Sequence, residues 1–116
     1  MKDFDEWIKN LKKESKTSIV LVEGIKDKKA LEQLNISNIM VLKKPLYSVI
    51  EEIVSLEKPC IILLDLDKAG KILYSKIVPK LKHFGVRIID DYRNFLFTTK
   101  LRQIEGLTKY LRGLEL

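Results

Sequence analysis

Two stretches of this chain, Ser18-Ile-Val-Leu-Val22 and Cys60-Ile-Ile-Leu-Leu64, have no solvent-facing side, and each runs straight into an acid, Glu23 and Asp65. A strand with one wet face alternates apolar and polar residues. A strand that does not alternate must be covered on both sides, which in practice means a parallel sheet between helices. Ile39–Leu42 and Val86–Ile89 repeat the pattern more briefly. Strands are therefore expected near 18–23, 38–42, 60–65 and 86–90.

The segments between them carry helical spacing. Ala30, Leu31 and Leu34 mark a helix at 26–34. Val49, Ile50 and Ile53 mark one at 46–56, opened by Pro45. Leu73, Ile77, Leu81 and Phe84 mark a longer one at about 70–84, with Pro79 expected to kink it and Gly85 to stop it. Before the first strand, Phe4, Trp7, Ile8 and Leu11 predict an amphipathic helix at 3–14 capped by Asp3. Residues 92–116 read as one or two helical pieces broken near Thr98-Thr99 or Gly106. The rhythm predicts one three-layer α/β/α domain over 1–116. Its core is 18–90, its sheet four-stranded and mainly parallel, and 92–116 is a helical extension.

Such sheets bind ligands beyond the C-terminal ends of their strands, where the strand order reverses. With the order 2-1-3-4, Glu23 and the pair Asp65 and Asp67 meet there. Alternation sends Asp65 and Asp67 to one side and turns Leu66 into the core. Carboxylates a few ångströms apart repel unless a proton or cation neutralises them. Mg²⁺, or Mn²⁺, suits hard oxygen ligands and shares phosphate oxygens. Gly24 is expected to let the chain turn sharply after Glu23. Lys68-Ala69-Gly70-Lys71 opens the next helix, and Gly70 removes bulk where free N–H groups and two lysines offer a phosphate seat. Asp90-Asp91 ends the fourth strand at the same edge and reads as a helix cap or an outer metal ligand. His83 reads as a surface residue.

Charge points to a polyanion. Residues 1–67 hold 11 Lys against 12 Asp and Glu, a net of −1; residues 68–116 hold 11 Lys and Arg against 4 Asp and Glu, a net of +7. Phosphate neutralisation by such a half supplies non-specific nucleic-acid affinity. Lys68, Lys71, Arg93 and Lys100 are the candidate phosphate contacts. The single cysteine, Cys60, cannot form an internal disulfide, so a reducing cytoplasmic setting is expected. The start, MKDFDEWIKNLKKE, has no apolar run and does not read as a signal peptide. No segment reaches the ~18 apolar residues of a membrane span.

Together, Val22-Glu23-Gly24 with Asp27 four residues after the Glu, then a strand ending Asp65-Leu66-Asp67-Lys68-Ala69-Gly70, resemble the Toprim domain over about residues 18–90. That domain occurs in topoisomerases, bacterial primases and several nucleases. The likeness is greatest to small stand-alone archaeal Toprim proteins and maturase-type ribonucleases. Gln103-Ile104-Glu105-Gly106-Leu107 is similar to a short acidic–hydrophobic motif near the C-terminus of those small proteins. The resemblance implies Glu23 as general acid or base, Asp65 and Asp67 as Mg²⁺ ligands, and Gly24 and Gly70 as tight-turn residues. Leu64 departs from it, since many members carry a hydroxyl residue there.

The resulting expectation is Mg²⁺-dependent phosphodiester chemistry on RNA or DNA, as a nuclease or RNA-processing activity. The alternative is a non-catalytic nucleic-acid-binding module acting with a larger protein partner. A phosphorylation receiver fits poorly, because it carries its acid pair after strand one and a lone Asp after strand three. A haloacid-dehalogenase-type phosphatase carries its DxD after strand one. Substrate identity and oligomeric state are not legible.

Overall fold

The computed structural model describes residues 1–114. Its elements in chain order are α1 (Phe4–Glu14), β1 (Ile19–Val22), α2 (Ile25–Glu32), β2 (Ile39–Val41), α3 (Leu46–Leu56), β3 (Cys60–Ile62), α4 (Lys68–His83), β4 (Ile88–Ile89), α5 (Asp91–Phe97), a 3₁₀ turn (Ile104–Gly106) and α6 (Leu107–Leu114). All three strand pairings are parallel and the sheet order is β2-β1-β3-β4. The reversal of order thus falls between β1 and β3, the arrangement under which Glu23 and the Asp65–Asp67 pair are expected to meet.

The continuous apolar runs have a direct structural cause. Val20, Val22, Ile61 and Leu63 point into one core with Trp7, Leu11, Leu31, Tyr92, Leu96, Ile104 and Leu107. Ile19, Leu21, Cys60, Ile62 and Leu64 point into a second core with Val49, Ile50, Ile53, Ile77, Val78 and Leu81. Adjacent residues serve opposite layers, so neither face can be polar. Helices α1, α2, α5 and α6 cover one face, and α3 and α4 cover the other. Trp7 is buried and donates its indole N–H to Tyr92 O at 3.0 Å, tying α1 to the start of α5. Leu66, 1% exposed, turns into the first core as alternation predicts.

Boundaries differ in places. Helix α4 begins at Lys68, because Asp67 caps it by accepting from Gly70 N. It continues through Pro79 to His83 as one helix rather than breaking. Gly85 ends that region with φ +82°, and Val86 N reaches back to Leu81 O at 3.0 Å, a left-handed helix stop. Strand β4 is only two residues long. The extension breaks at both expected places, after Phe97 and at the 3₁₀ turn. Among the described residues no helix is long and apolar enough to cross a membrane.

Candidate functional site

The ends of β1 and β3 are joined by a carboxylate. Glu23 Oε1 accepts from Asp65 N at 3.0 Å, across 42 residues of sequence. Asp65 Oδ1 in turn accepts from Ile104 N at 2.8 Å, so the C-terminal extension closes onto the same edge. Asp67 Oδ1 takes Gly70 N at 2.8 Å, and Gln103 Nε2 approaches its Oδ2 at 3.4 Å. Asp27, on the first turn of α2, accepts from Gly24 N at 3.0 Å. Glu23, Asp65 and Asp67 thus share one sheet edge, with a fourth carboxylate, Asp27, beside them.

Crowding shows in the proton affinities. Burial pushes the Asp65 carboxyl up to about 7, and the neighbouring charges of Asp27, Glu23 and Asp67 push the same way against the Ile104 N–H bond. Burial likewise raises Glu23, with Asp67 and Asp27 adding to it against the hydrogen bond from Asp65 N. Asp27 is raised by burial and by Glu105. The edge is short of positive charge.

Among the described residues no three acidic, histidine or cysteine side chains already close on one point as a complete metal cage. Mg²⁺ does not need one. It keeps several waters and commonly takes one or two carboxylates together with substrate phosphates. Among the described residues, the second oxygens of Glu23 and Asp65 accept no hydrogen bond, while the first oxygens fix each carboxylate to the backbone. This all-oxygen donor set, held by main-chain N–H groups, is of the type that hard divalent ions such as Mg²⁺ or Mn²⁺ take. Asp65 and Asp67 would hold such an ion with Glu23 beside them, Asp67 giving up its 3.4 Å contact with Gln103 Nε2.

The glycines separate. A Cβ on Gly70 would lie 1.9 Å from Asp65 O, so α4 can start this close to the Asp65–Asp67 turn only without a side chain. Gly24 has φ −144°, which any residue adopts, and a Cβ there would meet nothing nearer than 3.9 Å. The chain does turn between β1 and α2 at Glu23-Gly24, but that turn does not require glycine; the contribution of Gly24 is the N–H that holds Asp27. The phosphate seat at the α4 N-terminus is partly taken, since Asp67 already occupies Gly70 N.

The candidate cations separate too. Lys68, Lys71 and Lys100 are exposed, with Lys71 Nζ 5.5 Å from the Phe97 ring centre. Arg93 is not a surface cation. It is 5% exposed and stacks between Tyr74 and Phe97, with Nε donating to Leu64 O at 3.0 Å and an Nη to Asp65 O at 3.1 Å. It belongs to the scaffold behind the carboxylates and is withdrawn as a nucleic-acid contact. Among the described residues, Asp90 makes no side-chain cap bond on α5; its Oδ2 accepts from Tyr74 OH at 2.7 Å and its Oδ1 is buried without a hydrogen-bond partner. The roles of Asp27, Ile104 N and buried Arg93 escaped the sequence reading. The nearest signals were Asp27 within the Glu23-Gly24 motif and the 103–107 segment.

No family model matches the chain. A UPF0292 protein of Methanocaldococcus jannaschii is 32% identical over 112 residues, covering 91% of this chain and 88% of that protein. A solved structure of a protein from Aquifex aeolicus superposes with TM-score 0.84 at 34% identity, covering 91% of this chain and 99% of that one.

Proposed function

The chain belongs to the UPF0292 family, and we propose that it carries out Mg²⁺-dependent phosphodiester chemistry on nucleic acid at the Glu23, Asp65 and Asp67 edge. The observation that carries this reading is the bond from Asp65 N to Glu23 Oε1, which brings an isolated Glu and an Asp pair to the switch point of a parallel sheet. The Toprim resemblance of the same residues supports it. A bound divalent ion would polarise a phosphoryl oxygen and neutralise charge there. Asp65 and Asp67 hold that position, anchored by Ile104 N and Gly70 N. Glu23, whose proton affinity burial has raised, moves a proton at Oε2, the oxygen not tied to Asp65 N. Buried Arg93 fixes the two carbonyls at the end of β3, so the Asp65–Asp67 turn cannot drift.

The test is a calorimetric Mg²⁺ titration of wild type, Asp65→Asn and Glu23→Gln, run beside cleavage of labelled RNA and DNA panels. Asp65→Asn should weaken Mg²⁺ binding. Glu23→Gln should lose ~10²–10⁴-fold in turnover, the usual worth of acid–base catalysis, while nucleic-acid binding stays near wild type. Equal Mg²⁺ affinity in wild type and Asp65→Asn ends the metal reading. Salt-sensitive binding with no cleavage under any divalent ion assigns the chain to a non-catalytic module instead.

A further inference from the structure

Two hollows on the C-terminal side of the molecule meet. One, of about 960 Å³, is lined by Lys100, Arg102 and Tyr110, with Asp67 also in its lining. The other, of about 520 Å³, is lined by Lys26, Lys29 and Arg112. Gln103, Gly106 and Lys109 line both, so the hollows are neighbours across the junction of the 3₁₀ turn and α6. All six basic side chains are exposed. The acids in the two linings are Asp67 and Glu105, leaving cations in clear excess. The track also touches the candidate site, because Gln103 Nε2 lies 3.4 Å from Asp67 Oδ2.

We propose that these adjacent hollows are the path of a single nucleic-acid strand, running from Lys26, Lys29 and Arg112 over Lys109 to Lys100 and Arg102, and delivering a phosphodiester to Asp67. The inference rests on the phosphodiester reading for the partner's chemistry and adds the route and the strandedness. Six exposed cations against two acids, with half-buried Tyr110 at the margin, are the charge complement of a phosphate backbone, the contact by which basic grooves follow single strands.

The test is fluorescence anisotropy with labelled single-stranded and duplex oligonucleotides of RNA and DNA, in EDTA so that cleavage cannot intervene. Lys109→Glu and the double variant Lys26→Glu/Arg112→Glu are compared with Lys80→Glu/Lys82→Glu, which reverses two charges at the far end of α4. Melting curves confirm that each variant is folded. Lys109→Glu and the Lys26/Arg112 variant should each bind single strands at least ~10-fold more weakly at low salt, and their salt slope should fall by ~0.7 per lost phosphate contact. The α4 control should change little, and duplexes should bind more weakly than single strands. Track variants that bind like the α4 control, tighter binding of duplex, or no binding by wild type would each overturn the proposal. If the track variants are silent while Asp65→Asn abolishes Mg²⁺-dependent turnover, the groove falls and the site stands. If they weaken binding but no divalent ion supports cleavage, the groove stands and the phosphodiester reading falls.

Discussion

Glu23 and Asp65 are each tied to the backbone by one oxygen, which fixes the carboxylate but leaves its charge uncompensated. Asp65 illustrates the cost. Its carboxyl is pushed to about 7 chiefly by burial, so holding it ionised strains the metal-free protein. Asparagine can still accept from Ile104 N through Oδ1 and carries no charge. Asp65→Asn should therefore raise the melting temperature of the metal-free protein above pH 7 while weakening Mg²⁺ binding. A residue that merely stabilised the turn would lose stability on substitution, so thermal melts in EDTA at pH 8 separate the two cases. Arg93 makes the opposite forecast. Its planar guanidinium satisfies Leu64 O and Asp65 O at once and stacks on two rings, which a lysine ammonium cannot do together. Arg93→Lys should leave at least one buried carbonyl unpaired, at a cost of ~1–3 kcal/mol. Denaturant unfolding would measure it, and a cost near zero would show that the arginine is dispensable to the scaffold.

The start of α4 sets the spacing of the Asp65–Asp67 turn, and the space there leaves no room for a side chain at Gly70. A methyl group 1.9 Å from Asp65 O must push the helix or the turn aside. Gly70→Ala should cost ~1–3 kcal/mol, the usual penalty for overpacking, and should weaken Mg²⁺ binding because the displaced backbone is the one carrying both ligands. Gly24→Ala, with open space and extended backbone, is the matched control and should change little. At this scale the sequence was most informative where both faces of an element are buried. The runs 18–22 and 60–64 had to lie inside a sheet, and acids at their ends had to share its C-terminal edge; that Glu23 meets Asp65 follows only once β1 and β3 are neighbours, which the apolar runs do not dictate. Strand β4 starts later than its apolar run because Val86 N is taken by Leu81 O at the helix stop, and Arg87 joins the sheet only through its carbonyl, which accepts from Cys60 N at 2.9 Å. Irregular segments carry no period to read. Ile104 N, which anchors Asp65, comes from a three-residue 3₁₀ turn. Arg93 sits in a seven-residue helix too short to reveal which of its faces is buried, so its charge suggested a surface role that its packing excludes.

The molecule gathers Glu23, Asp27, Asp65 and Asp67 at one sheet edge, and this makes its stability depend jointly on pH and on divalent ions. Asp65 binds its proton in the folded chain up to about pH 7, whereas in the unfolded chain it releases it near 3.8. Between those values the folded state holds more protons than the unfolded state, so stability falls as pH rises through that window and levels off above it. Glu23 and Asp27 are raised as well and act with the same sign. A divalent ion reverses the trend, because it binds the ionised carboxylates and competes with protons. Metal-free protein should thus melt at progressively lower temperature from about pH 4 to pH 7. Adding Mg²⁺ should have almost no effect at the acid end and its full effect above pH 7. There, a tenfold excess over Kd contributes ~1.4 kcal/mol, a rise in Tm of roughly 5 °C for a domain of this size. In Asp65→Asn the metal-free curve should flatten and most of the Mg²⁺ response should disappear. Differential scanning calorimetry across pH 4–8, with EDTA or Mg²⁺, would read all four curves. A Mg²⁺ effect independent of pH, or an unchanged pH slope in Asp65→Asn, would place the charge crowding elsewhere and remove the carboxylate edge as the ion's binding place.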